Sequence, residues 1–524
     1  MPQAIHDVCV IGAGAAGGVL AATLAQAGVD VVLVEGGPYR DPARLDNHAW
    51  PYERSRRNVP AVGVDPALEP MEIIGDQVGI ARARVLGGRT THWNAVALRF
   101  SEADFRERNL GGIEDDWPIA YAELAPYYNR AERLMVVCGT RENLEVLPDG
   151  QFIPPLAPRC SERILERACR KLGIRMIPVR KALATEPGHG RAACHHCGHC
   201  MRGCEVSAIF NTAEHVLPAA LKGGRLRLIS NTMARELLMG DDGRVRAVSV
   251  IHRETKQEQE IRARVFALCG GNIESPRLWL NSKLPDTHDV VGRYLHGHIT
   301  GQTTGYLSDL VGKSPVNQDG ATDHVYIPRF ERGARRDYAG GFGYQLNYAS
   351  YATPHHAKRL PGYGPGFKRR VRELQPGFSM LGGFGKVLAR RENRVTVHPS
   401  RRDAYGIPIP VIHFRWGSND LALYKDMLST AREIYEAAGV KFVFTPDDRP
   451  GGFASHEVGA MRMGKDPRVS VVGRFCRSHE VKNVFVTDGS CFTTFPEKNP
   501  TLTIVALSLR TADSIVELRR RGEL

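Results

Sequence analysis

No run of about twenty consecutive apolar residues occurs in this chain of 524 residues, so no helix is expected to span a bilayer and a soluble protein is expected. Internal repeats and low-complexity tracts are also missing. The first buried strand is expected from about Asp7, so a cleavable secretory signal is not expected ahead of it. The chain is therefore expected to stay in the cytoplasm or to travel with another chain. A paired cysteine framework of the secreted kind is absent: four of the 11 cysteines fall between Cys194 and Cys204 and the others are scattered. The 70 Lys and Arg exceed the 57 Asp and Glu, leaving +13. That surplus lies in short clusters such as Lys368, Arg369, Arg370 and Arg519, Arg520, Arg521, without the interleaved aromatics of a single-strand groove. It reads as solvated surface, with an acidic protein partner as the functional alternative and no nucleic acid. With 42% hydrophobic and 24% charged residues, disorder is excluded and two packed domains are affordable.

The chain opens on an apolar run, Asp7 to Ile11, followed by Gly12-Ala-Gly14-Ala-Ala-Gly17-Gly18 and a periodic run from Val19 to Ala27. A second buried strand, Val29 to Val34, ends in Glu35. Strand, tight turn, helix and strand make a βαβ unit. Gly12 permits the turn, Gly14 lets backbone amides approach a pyrophosphate and Gly17 allows close helix packing. The helix N-terminus favours the phosphates, and Glu35 is placed to accept from an adenosine ribose. These features predict dinucleotide binding without separating FAD from NAD.

Pro-rich and charged loops follow from Gly36 to Pro70, then the segment Gly87-Gly88-Arg89-Thr90-Thr91-His92-Trp93-Asn94. Val265 to Gly271 reads as another buried strand, followed by a helix opened by Ser275-Pro276. Between about Val291 and Phe453, strand-like runs at 325–330, 395–398 and 411–416 mix with a helix expected from Asp420 to Ala438, which suggests an α+β substrate domain. A strand at Val484 and a helix from Thr501 to Glu517 close the chain. The expected fold is an α/β Rossmann-like FAD-binding domain (1–120, 205–290 and 455–524) plus an α+β substrate-binding domain (291–454 with parts of 121–184), with a Cys-rich segment at 185–210.

The N-terminal fingerprint, the Gly87-Gly88 loop, Ala267 to Pro276, His456 to Gly464, Asp488-Gly489-Ser490 and Asn499-Pro500-Thr501-Leu502-Thr503 together resemble the glucose-methanol-choline oxidoreductases, from end to end and in the family's order. The resemblance implies bound FAD, an FAD domain assembled from separated segments, and oxidation of an alcohol to a carbonyl. That chemistry needs a base for the hydroxyl proton while hydride leaves for flavin N5, and an imidazole that titrates near neutrality suits it. The family motif assigns this role to His456 among the 19 histidines. It places Asn499 opposite, whose amide donates to the substrate oxygen without competing for the proton; the bland reading of Asn499 is a helix cap. Pro500 leads into the helix, with the amides of Thr501 and Leu502 toward the flavin pyrimidine edge, where a positive helix end favours anionic reduced flavin. Thr91-His92-Trp93 is similar to the pyranose-oxidase segment whose histidine is joined covalently to flavin, so His92 is a candidate for that bond. Asn94, Asp488 and Gly489 complete the expected cofactor set.

Cys194-His-His-Cys197-Gly-His-Cys200-Met-Arg-Gly-Cys204 follows the C-x2-C-x2-C-x3-C spacing of iron–sulfur ligands, with Glu205 in place of the customary proline. Resemblance to the sugar and gluconate dehydrogenases of the family implies a three-iron cluster on Cys194, Cys200 and Cys204. Cys197 would make it a four-iron cluster or be spare. Zinc, with His195, His196 and His199 alongside, is the rival, and reduced structural cysteines are a third reading. A cluster would pass electrons to a cytochrome c or quinone; without one, an oxygen-using oxidase is as good a reading. The expectation is an FAD-dependent sugar or glycoside dehydrogenase acting on a ring C3 or C2 hydroxyl, exported to the periplasm with a small partner subunit.

Overall fold

The computed structural model describes residues 5–45, 63–108, 114–314, 323–329, 336–347, 357, 360–440, 443–445, 450–453 and 455–524. Among them, no helix is long and apolar enough to cross a membrane.

The apolar run at the N-terminus forms the strand Ile5–Ile11. It is hydrogen-bonded in parallel to Val31–Val34 on one side and to Glu258–Leu268 on the other. Parallel neighbours on both edges and helices over the faces explain why its side chains are continuously apolar rather than alternating. Leu226–Ile229 extends the parallel set beyond Val31–Val34, and Val484–Val486 joins it on the far side of Glu258–Leu268. The N-terminal half of Glu258–Leu268 pairs instead with Val245–His252, antiparallel, and that strand with Thr232–Met239, completing a seven-stranded sheet. The helices Ala15–Gln26 and Thr501–Arg520 pack together in the same core.

A second core sits on a six-stranded antiparallel sheet in which His298–Tyr306, Phe378–Lys386 and Phe342–Asn347 are neighbours. Strand periodicity divides its faces. Gly301, Gly383 and Gly385 lie under Leu423, Tyr424 and Met427 of the helix Ser418–Ala437, which therefore seats close to the sheet. The opposite face carries His298, Gln302, Gln345 and Phe384. A three-stranded sheet joins Arg394–Arg402 and Pro408–Phe414 to Glu72–Gly75, so a segment from early in the chain pairs with strands from late in it.

Several expected boundaries move. The first strand starts at Ile5 rather than Asp7, and its helix at Ala15 rather than Val19. The strand expected from Val265 is the end of the longer Glu258–Leu268. The helix expected to open at Ser275-Pro276 runs from Gly271 to Asn281 with Pro276 inside it. The reason lies far along the chain: Asp488 Oδ2 accepts from Gly271 N (2.8 Å) and from Ser275 Oγ (2.5 Å), so a carboxylate brought by the C-terminal segment holds the helix start. Of the run expected at 325–330, Val325–Ile327 is strand, and Phe330 lies outside the described residues, as does 46–62 of the expected loop.

Candidate active site

The C-terminal ends of the parallel strands open into a cavity of about 550 Å³, where α/β sheets place their ligands. Gly12 and Gly14 line one end. At Gly12 φ is +101°, and a β-carbon there would lie 2.5 Å from the Cys269 carbonyl oxygen; one at Gly17 would lie 1.8 Å from the Gly12 carbonyl oxygen. The turn is thus closed against its own helix and against the neighbouring strand, as the glycine pattern predicts. Gly88 backs onto Gly14, where a β-carbon would come within 2.9 Å of its Cα. Glu35 reaches this end of the cavity, with Oε2 accepting from Ala13 N and Oε1 from Gly37 N, both at 2.8 Å. Burial pushes its carboxyl above the usual carboxylate range, against the pull of those amides and of Arg84. The side-chain nitrogen of Asn272, on the cavity wall, is buried without a hydrogen-bond partner among the described residues, while its oxygen accepts from Ala460 N. A glycine-lined cradle, an acidic residue at its end and an orphaned donor in its wall fit a bound dinucleotide.

His456, Asn499, Gln345, Gln302 and Phe384 gather at the other end of the same cavity. Asn499 Nδ2 is 3.3 Å from His456 Nε2, and Asn499 Oδ1 accepts from Gln345 Nε2 at 2.6 Å. Asn499 is therefore not a helix cap; that position falls on Pro500, with no side-chain cap bond. His456 Nδ1 lies 3.0 Å from His298 Nδ1, and His298 Nε2 lies 2.7 Å from the Pro496 carbonyl oxygen. Burial, the neighbouring His298 and Arg89 hold the His456 imidazole well below its ordinary pKa, so it is neutral and able to accept a proton.

Of the residues expected from sequence, Gly12, Gly14, Glu35, Gly88, His92, Trp93, Asn94, Asp488, Gly489, Pro500 and Thr501 line this cavity beside His456 and Asn499. Gly17, Gly87, Thr91 and Leu502 stand behind the wall, Leu502 fully buried in the core. The Asp488 carboxylate is engaged by Gly271 N, Ser275 Oγ, Ser490 N and Ser490 Oγ, so it staples the wall together. Sequence reasoning missed His298, Gln302, Gln345, Arg84, Asn272 and Met201. Alternation along the strand from His298 was the available signal, since it puts His298 and Gln302 on one face.

At the flavin-loop end, Thr91 Oγ1 donates to Gly88 O (2.9 Å) and is 3.0 Å from His92 Nδ1. A hydroxyl has a single proton, so His92 Nδ1 must be the donor of that pair and Nε2 carries the free lone pair. Burial and Arg89 lower the His92 pKa to about 4, leaving the ring neutral. The Cys segment packs directly against this loop. Met201 lines the cavity, and a β-carbon on Gly203 would meet Thr91 O at 3.2 Å. Cys200 is buried; Cys194, Cys197 and Cys204 are half-buried and each feels the charge of neighbouring thiols. His195, Cys197 and Glu205 bring their donor atoms within 4.8 Å of one another. The other three cysteines are not part of that group. Four thiols in one segment are donors that an iron–sulfur cluster takes, and the converging His195, Cys197 and Glu205 are donors that zinc takes.

GMC oxidoreductase family models match residues 7–300 and 389–508. The chain is 28% identical over 559 residues to the fructose dehydrogenase large subunit of Gluconobacter japonicus, covering 98% of each. It is 30% identical over 546 residues to the 6'''-hydroxyparomomycin C oxidase of Streptomyces lividus, covering 98% of this chain and 91% of that protein. The crystal structure of pyridoxine 4-oxidase from Mesorbium loti shares the fold, with a TM-score of 0.68 at 19% identity over 97% of this chain and 99% of that one.

Proposed function

Since the chain belongs to the GMC oxidoreductase family, and so is an FAD-binding enzyme acting on CH–OH donors, we propose that its substrate is a sugar or glycoside oxidised at a ring C3 or C2 hydroxyl. The observation that carries the alcohol oxidation is the pairing of a neutral imidazole with an amide at 3.3 Å on the cavity wall, and the ring position rests on the likeness of Thr91-His92-Trp93 to the pyranose-oxidase segment. A substrate hydroxyl seated between them donates to His456 Nε2 and accepts from Asn499 Nδ2, so the oxygen is gripped as its proton leaves. FAD, when bound, takes the hydride at N5. Gln302 and Gln345 offer amide donors and acceptors to a polyhydroxylated ring. Two relatives named above are, by their names, a fructose dehydrogenase subunit and a 6'''-hydroxyparomomycin C oxidase.

Electrons leave, in this reading, through an iron–sulfur cluster in the Cys segment to a cytochrome c or quinone. Three-iron ligation by Cys194, Cys200 and Cys204 is favoured by the resemblance to the family's sugar and gluconate dehydrogenases, and Met201 within the segment lines the cavity. Co-export to the periplasm with a small partner subunit belongs to the same proposal. The second reading is an oxygen-using oxidase, favoured by the oxidase among the relatives. Incubation with a methyl glucoside is expected to give a 3- or 2-keto glycoside by NMR, with an artificial dye reduced and oxygen not consumed. Oxidation confined to free reducing sugars would sink the ring-hydroxyl assignment, and stoichiometric oxygen uptake would favour the oxidase.

His92, which lines the cavity and whose Nε2 carries the lone pair, is proposed as a covalent flavin ligand. Acid precipitation is expected to leave a yellow pellet that His92→Ala turns colourless. Yellow supernatant over a colourless wild-type pellet refutes the bond.

A further inference from the structure

We infer that His298 is a positioning residue that sets the tautomer of His456 and shares its proton. The inference rests on the role of His456 as base proposed above. The chain of contacts is Pro496 carbonyl, His298 Nε2 (2.7 Å), His298 Nδ1 to His456 Nδ1 (3.0 Å), and His456 Nε2 to Asn499 Nδ2 (3.3 Å).

A backbone carbonyl can only accept, so His298 Nε2 carries a proton. A neutral ring has one N–H, so His298 Nδ1 is bare and must be the acceptor of its contact with His456. His456 Nδ1 is therefore the donor, which leaves Nε2 bare and aimed at the cavity. The amide agrees from the other side, because Gln345 Nε2 fixes Asn499 Oδ1 as acceptor and turns Nδ2 toward His456 Nε2. Tautomer assignment thus propagates from one unambiguous atom, the Pro496 oxygen.

Packing prevents His298 from turning over. Its ring stacks on Phe495 with centroids 4.3 Å apart and planes 11° apart, and meets Phe384 edge-on. It is fully buried. His296, Glu497 and Lys498 act on it electrostatically, and Arg89 acts on His456. When the substrate O–H bond breaks and its proton forms N–H at His456 Nε2, the proton on Nδ1 is drawn toward His298 Nδ1. The positive charge is then spread over two rings; burial, His296 and Lys498 oppose it on His298, while the Pro496 carbonyl and Glu497 favour it there.

His298→Leu removes the acceptor for His456 Nδ1–H, and His298→Asn keeps an oxygen able to take its place. The expected result is a loss of kcat/KM on the order of 10³-fold in the Leu variant, the scale of a base held in the wrong tautomer. The Asn variant stays within about tenfold of wild type, because its amide accepts but takes no proton. Histidine ¹⁵N NMR of the wild-type holoenzyme is expected to show His456 protonated at Nδ1, and the Leu variant, with FAD retained, to show the tautomer lost. Nδ1 found bare in the wild type, a fully active Leu variant, or an Asn variant as impaired as Leu would each overturn the inference. A wild-type enzyme that turns over no alcohol would instead refute the functional reading, while the NMR measurement still decides the relay.

Discussion

Substituting His456 by Gln is expected to lower kcat/KM for the alcohol substrate by about 10³-fold, the range a positioned general base supplies. The amide keeps the polar contact with Asn499 but has no lone pair basic enough to take the hydroxyl proton. Bound FAD stays in place, because the cradle at Gly12, Gly14 and Glu35 lies at the other end of the cavity. The measurement is anaerobic bleaching of the flavin on mixing with substrate, which isolates the step before any electron acceptor. The pH dependence has a definite sign. Proton abstraction requires neutral imidazole, and burial, His298 and Arg89 keep His456 neutral to well below pH 6.5. Activity therefore stays level through neutrality and falls only as the solution becomes distinctly acidic. A rate that rises on acidification, or a Gln variant that bleaches at the wild-type rate, would remove His456 from the mechanism.

On the proposed electron route, Cys204→Ser is expected to separate flavin reduction from electron export. Substrate still bleaches the flavin, since His456 and Asn499 are untouched. Reduction of a cytochrome c or a one-electron dye falls by about 10²-fold or more as the cluster loses a ligand. Iron and acid-labile sulfide, measured on the purified protein, fall with it. Cys197→Ser distinguishes the two cluster types, since a three-iron cluster survives it and a four-iron cluster does not. Protein that contains zinc and no iron would replace the electron relay with a site built on His195, Cys197 and Glu205, whose donor atoms already approach one another.

The dinucleotide cradle was legible because its information is local. Glycines, two apolar runs and Glu35 fall within the first stretch of chain, and steric requirements at Gly12 and Gly17 leave little choice of residue. His456 and Asn499 were legible through motif position, although they stand 43 residues apart. The rest depends on contacts between distant segments. Nothing near Gly271 announces that Asp488 will hold the helix start, and Gln345 meets Asn499 across 154 residues. His298 was missed for the same reason. Its partners are a carbonyl and an imidazole that only the folded chain brings to it.

The reactive pair draws support from both cores at once: Asn499 enters from the start of the C-terminal helix, while His298 and Gln345 rise from the antiparallel sheet behind the substrate. Chimeras that graft a relative's sugar-recognising half onto this flavin-binding half will therefore inherit altered chemistry along with altered selectivity. A graft that omits the donor at 345 or the ring at 298 leaves the base unsupported, whatever sugar its new wall accepts.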